Sequence, residues 1–192
     1  MLAEKSSLIE EYEINPYTMA IIPTQYGSRM YTEVLEAQDR FISPFRPIDI
    51  VKKSCEYFGA SYLGRKEGTK RLIGITHKAP IIVDPHTSIY LFPTTSPKNP
   101  HCIWISHDHV INQKRASSNS TVVTFRNKQT LTIPVSISSF ENQLYRTSLL
   151  RIRFNQHIQH MEKRIGQTQS FIMQLEASER KQNYEMKNDP IL

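Results

Sequence analysis

KKSCEYFGASYLGRKEGTKRLIGITHKAPIIVDP, residues Lys52–Pro85, changes character twice. Together with the residues before it, its start continues a short helical pattern: Ile48, Val51, Cys55 and Phe58 follow at spacings of 3, 4 and 3, one face of a helix. Pro47 suits the first helical position, where its missing N–H costs nothing, and Gly59 suits the stop. The middle, Gly59–Arg71, combines Gly59, Gly64 and Gly68 with the cations Arg65, Lys66, Lys70 and Arg71, and reads as a short helix or ordered loop over residues 61–68. From Leu72 the pattern turns to strands, with Ile81–Val83 closed by Asp84-Pro85.

Working outward, Tyr17–Ile22 reads as a strand stopped by Pro23, and Tyr26-Gly27 as a turn into a return strand at Arg29–Leu35. Arg40–Ser43 adds a third strand, so the front end predicts a small β-meander, with residues 1–13 frayed. On the other side, Ile81–Val83 and Ile89–Phe92 read as strands separated by the turn segment Asp84–Ser88, so the middle of the chain is a mostly antiparallel sheet. A loop at Thr94–Pro100 leads into a strand at Cys102–Ser106. Val122–Phe125 and Thr130–Ile133 frame a hairpin, preceded by a polar, mobile loop at Asn112–Ser120. Ser138 and Glu141 fit a capping box opening a helix near 139–164. In it Phe140, Leu144, Thr147, Leu150, Phe154, Ile158, Met161 and Ile165 step by 3 or 4. Arg146, Arg153, His157, His160 and Arg164 lie on roughly the opposite side. Gly166 breaks the pattern, and the polar tail carries one apolar knot, Phe171–Leu175, while Asn188–Leu192 reads as loose. The expected fold is α+β: an antiparallel sheet, a short helix near 47–58 and a long C-terminal helix near 139–164. The domain ends at 165, with a tail at 166–192.

The chain has 192 residues and a formal net charge of +6, and the charge is unevenly placed. Residues 1–40 hold three cations against seven acids. Residues 51–71 hold six cations against two acids, and residues 141–165 hold five against two. A molecule polarised in this way suits a polyanion on one side. No apolar run approaches the ~20 residues of a membrane span. Met1–Asn15 is acidic without a long apolar centre, so neither membrane nor secretion is expected and the location expected is cytoplasmic. Cys55 and Cys102 are expected as free thiols.

Enzyme chemistry finds little support. His107 and His109 would share one face of a strand and offer two imidazoles to a metal. There is no C-x-x-C pair and no H-E-x-x-H helix to complete such a site. The glycines 59, 64 and 68 lack the Gly-Lys-Ser/Thr ending of a phosphate loop. No catalytic residue, metal or cofactor is expected. Nucleic-acid binding asks only for cations gathered on one surface, glycine backbone that admits a polyanion, and aromatics such as Tyr57 and Tyr62 to stack. No zinc finger, basic-zipper heptad or RNP motif is present.

Residues 54–69 (SCEYFGASYLGRKEGT), 77–85 (HKAPIIVDP), 89–94 (IYLFPT), 102–110 (CIWISHDHV), 139–147 (SFENQLYRT) and 150–154 (LRIRF) resemble, in this order, the competence transcription factor family, ComK. The resemblance covers roughly residues 10–160 and fades after about Arg164. It implies a bacterial activator of DNA-uptake genes that binds A/T-rich promoter boxes of double-stranded DNA, largely from the minor groove. It further implies a homo-oligomer, with dimers pairing on DNA, and an adaptor that delivers the protein to a Clp protease. The knot at Phe171–Leu175 is the apolar candidate for that adaptor. The expected DNA contacts are Arg65, Lys66, Lys70 and Arg71, with Lys52 and Lys53 on the wet side of the first helix. Arg146, Arg151 and Arg153 are secondary, Arg151 being close enough to the apolar stripe to pair at a dimer surface instead. A different class of reading is a non-enzymatic regulatory module whose basic faces bind an acidic protein partner.

Overall fold

In the computed structural model the described residues run from 7 to 187, with side chains through 177. The chain divides into two compact units, Met1–Arg151 and Ile152–Leu192.

The first unit is built on a seven-stranded sheet of β1 (Ser7–Leu8), β2 (Thr18–Tyr26), β3 (Arg29–Glu36), β4 (Arg40–Ser43), β5 (Ile81–Asp84), β6 (Ile89–Pro93) and β7 (Trp104–Ser106). Its order is β1-β4-β3-β2-β7-β6-β5. Every pair is antiparallel except β1 with β4. A three-stranded sheet of order β10-β9-β8 is formed by β8 (Val110–Ser117), β9 (Ser120–Phe125) and β10 (Thr130–Ile133). The helices are α1 (Pro47–Tyr57), α2 (Tyr62–Ile73) and α3 (Ile137–Lys187), of which the turns through Arg151 belong to this unit. The α+β expectation holds, with the strands shared between two sheets.

The two faces of the large sheet explain why its central strands read as continuous apolar runs. Ile21, Leu91 and Trp104 meet Ile50, Val51 and Cys55 of α1 in one cluster. Met19, Phe92 and Ile105 meet Val123 and Phe125 of β9, Ile133 of β10 and Phe140 of α3 in a second. The sheet is thus covered by α1 and α2 on one side, and by the small sheet and the start of α3 on the other. Residues 7–13 hold β1 and the buried Tyr12, whose hydroxyl bonds Glu36 and Thr18.

Several expectations change. β2 runs through Pro23 because β7 pairs with β2 only at Ala20 and Ile21; beyond them one edge of β2 has no strand beside it among the described residues, and a missing N–H there costs little. The loop expected at 112–120 is β8 and its turn, an edge strand polar and exposed through its second half. Ser136 rather than Ser138 caps α3: its Oγ accepts from Ser139 N at 3.3 Å. α3 also passes through Gly166 instead of ending near 164. Its apolar stripe is buried at Phe140, Thr147 and Leu150, but exposed at Ile158, Met161 and Ile165.

The largest change is α2, where the sequence suggested a short helix or loop before strands from Leu72. Ser61 caps the helix, its Oγ accepting from Gly64 N at 3.0 Å, and Gly74 ends it at φ 72°. The one fully buried side chain of α2, Thr69, donates to Pro80 O at 2.7 Å. Gly64 and Gly68 therefore lie in helix interior, and the left-handed freedom of glycine is used at Gly59 and Gly74. A Cβ added at Gly68 meets nothing within 4 Å. Gly68→Ala is expected to stabilise the protein by about 0.5–1 kcal/mol, the helix-interior cost of glycine. A denaturation midpoint that falls instead of rising would contradict helical backbone at this position.

Candidate nucleic-acid interface

The first half of α1, the start of α2 and two loops surround a cleft of about 610 Å³. Lys52 comes from α1, Lys66 from α2, His77 and Lys78 from the 74–80 loop, and Lys98 from the 94–103 loop. Thr76 and Ser96 add hydroxyls, and Ile48 and Tyr62 form apolar wall. Four ammonium groups share this opening, and no carboxylate lines it among the described residues. A smaller hollow of about 280 Å³ shares Ile48, Pro97 and Lys98, and adds Arg46.

The loop bearing His77 and Lys78 is held firmly. Lys78 adopts φ 47°, a region a lysine enters only when its surroundings enforce it. The nearly fully buried Gln143 of α3 donates from Nε2 to Lys78 O at 2.9 Å and to Pro93 O at 2.7 Å. Arg146 donates to His77 O at 3.4 Å and to Gln143 Oε1 at 3.3 Å. The far wall is fixed by Tyr62, whose ring meets the buried Trp104 edge-on at 6.2 Å. Burial pushes the Tyr62 phenol up to about 12.

Of the residues expected to contact DNA, the structure brings Lys52 and Lys66 into this cleft. Lys70 lies one turn beyond Lys66 on the same side of α2, exposed and 3.8 Å from Glu67. Arg71 is exposed as well. Arg65 is half-buried, with Nε buried and lacking a hydrogen-bond partner, and its charge reaches the Cys55 thiol. Lys53 is occupied by Glu11 at 3.3 Å and by the Phe45 ring, 3.9 Å from its centroid. Arg151 is tied to Asp108 and lies 5.7 Å from the Tyr90 ring centroid, an internal partner where a dimer contact was one expectation. Arg153 is exposed and belongs to the second unit. Lys78, Lys98 and His77 were not legible as a group, because loops distant in sequence deliver them. Among the aromatics, Phe58 and Tyr62 pack against the core while Tyr57 stays exposed.

The paired-imidazole geometry does not form. His107–His109 is a 3₁₀ turn rather than a strand, and its two rings go separate ways. His107 Nε2 bonds Ser148 Oγ at 2.9 Å, while His109 Nε2 donates to Pro16 O at 2.8 Å. No group of three or more potential metal ligands occurs among the described residues. Cys55 and Cys102 are buried free thiols, each pushed up to about 11 chiefly by burial, the opposite of nucleophile activation.

Fold and cleft together define an α+β protein whose lysine-lined surface suits a polyanion. The sequence places it further: residues 9–159 match the family model described as ComK protein, and the chain belongs to that family. It is 42% identical, over 165 residues, to the competence transcription factor of Bacillus subtilis (strain 168), covering 86% of this chain and 84% of that protein. No solved structure matches significantly.

The cluster of His107, Asp108 and Arg151 beside α3 offers a pH test. Burial lowers the His107 pKa, the hydrogen bond and charge of Asp108 raise it, and the Arg151 charge lowers it again. Asp108→Asn removes the raising charge and leaves the lowering ones. The His107 midpoint, followed by NMR, is expected to move further down, and an upward move would contradict this balance.

Proposed function

We propose that this chain is a DNA-binding transcriptional activator of competence genes. It recognises A/T-rich promoter boxes largely through the minor groove and acts as a homo-oligomer in the cytoplasm, at the nucleoid. The observation that carries the reading is the cleft in which Lys52, Lys66, Lys78 and Lys98 converge without a facing carboxylate among the described residues. Like charges held together repel, and a phosphate backbone that enters relieves the repulsion and releases counterions. Lys70 and Arg71 extend the basic line along α2. The regulatory role in competence is supported by membership of the ComK family and by the name of the Bacillus subtilis relative. The minor-groove part is supported by the family resemblance, and by the way the narrow groove of A-tracts concentrates negative potential and draws in cations without a recognition helix. Delivery to a Clp protease by an adaptor belongs to the same reading.

A salt series on A/T-rich duplex tests the site. Lys66→Ala with Lys98→Ala is expected to weaken binding and to flatten the slope of log K against log salt by about one per phosphate contact removed. Lys53→Ala, already engaged by Glu11, is expected to leave the slope unchanged. Equal affinity for A/T-rich duplex, G/C-rich duplex and heparin would favour an acidic protein partner over sequence-selective DNA.

A further inference from the structure

The second unit carries an apolar seam that its own helix does not cover. From Phe154 onward the apolar positions of α3 step by 4 and 3 as far as Leu175, with Thr168 the one polar place among them. This is a heptad pattern of three repeats, with Ile158, Ile165 and Ile172 at a. The d positions are Phe154, Met161, Thr168 and Leu175. Ile158, Met161, Ile165 and Ile172 are between 44% and 55% exposed. The one polar d residue turns its hydroxyl back to its own helix, Thr168 Oγ1 donating to Arg164 O at 3.0 Å. Gly166 falls at b, facing outward, where a glycine costs helix propensity but no packing.

We propose that residues 154–175 form a parallel two-stranded coiled coil with the same segment of a second copy of this chain. This deepens the homo-oligomer of the proposed function while standing on a separate observation. Three features select this occupant. A straight helix of 3.6 residues per turn drifts about 20° per heptad away from a strict 3.5 repeat, so a seam kept in step for three heptads suits a supercoiled partner with the same repeat. β-branched isoleucine at every a position, with unbranched or γ-branched Met161 and Leu175 among the d positions, favours two parallel strands over three or four. The flanking g-to-e pairs of such a dimer, His157 with Glu162 and Arg164 with Gln169, set no like charges against each other. The seam ends where Glu179 and Gln182 take the next a and d places in the sequence.

Light scattering on the full chain without DNA tests the proposal independently of promoter binding. The wild-type protein and Gln167→Ala, at an outward c position, are expected to have the mass of a dimer. Ile158→Asp with Ile165→Asp is expected to halve that mass while the fluorescence of the single, buried Trp104 stays unchanged. Thr168→Cys is expected to cross-link to itself under mild oxidation, because d residues face each other across a parallel pair and Cys55 and Cys102 are buried. This arm decides the matter even if the aspartate variant fails to fold. A monomeric wild type, or a dimer that survives the aspartate pair with its fold intact, would overturn the proposal, as would a dimer in which the Thr168→Cys variant does not cross-link. Loss of DNA binding with these masses unchanged would count against the DNA reading alone.

Discussion

One amide side chain holds the two lips of the basic cleft to the same helix. Gln143 sits 2% exposed on α3 and gives its Nε2 hydrogens to Lys78 O and Pro93 O, while Oε1 accepts from Arg146. The first carbonyl belongs to the loop that presents His77 and Lys78, and the second ends β6, where the loop to Lys98 begins. The Pro93 carbonyl, left buried and unpaired, would cost about 1–3 kcal/mol, and the part-buried Lys78 carbonyl less. These bonds help to hold Lys78 in its positive-φ conformation, a strain of about 1–3 kcal/mol at most. The cleft is thus a consequence of packing: α3 seats Phe140 against Phe92 at 5.5 Å, and the same turn of helix aims Gln143 at the loops.

The cations of this unit then separate by what already neutralises them. Arg151 spends its charge on Asp108, Arg46 on Asp49, and Lys53 on Glu11 and Phe45. Exposed pairs such as Lys70 with Glu67 contribute little and exchange readily for a phosphate. The cleft lysines have no carboxylate lining beside them among the described residues, so their mutual repulsion is offset by solvent and counterions alone. Clustering, rather than the total of +6, makes the surface suited to a polyanion.

Much of the sheet was legible because buried strands leave continuous apolar runs, and turns such as Tyr26-Gly27 and Asp84–Ser88 carry a mechanism. There the Asp84 carboxylate accepts from His86 N and Thr87 N. What was missed has physical reasons. α2 buries only Thr69 fully and so shows no apolar stripe, and its two interior glycines imitate a loop. β8 is an edge strand exposed on both sides toward its end, which leaves no period of two to read. The assignment of strands to two sheets depends on register, which no single segment carries. In the candidate site, Lys52 and Lys66 could be found from local charge density. Lys78 and Lys98 could not, because their proximity is a product of the 74–80 and 94–103 loops meeting over α1 and α2.

α3 shows the same limit from the other side. Its apolar residues step by three and four from Phe140 to Leu175, and nothing in the spacing marks where one use ends and another begins. In the first unit Phe140 and Leu150 are covered, Phe140 by the large sheet, β9 and β10. In the second, Ile158, Ile165 and Ile172 meet water on a helix that has already satisfied its backbone. A period of three and four states only that a face must be buried, not whether the chain itself or another molecule buries it. The glycine at 166 hid the question, because a helix that stops there has no seam left to explain. With the helix running on, the exposed isoleucines are a cost in the monomer, and a surface that repeats every seven residues is one that a second copy of itself can cover.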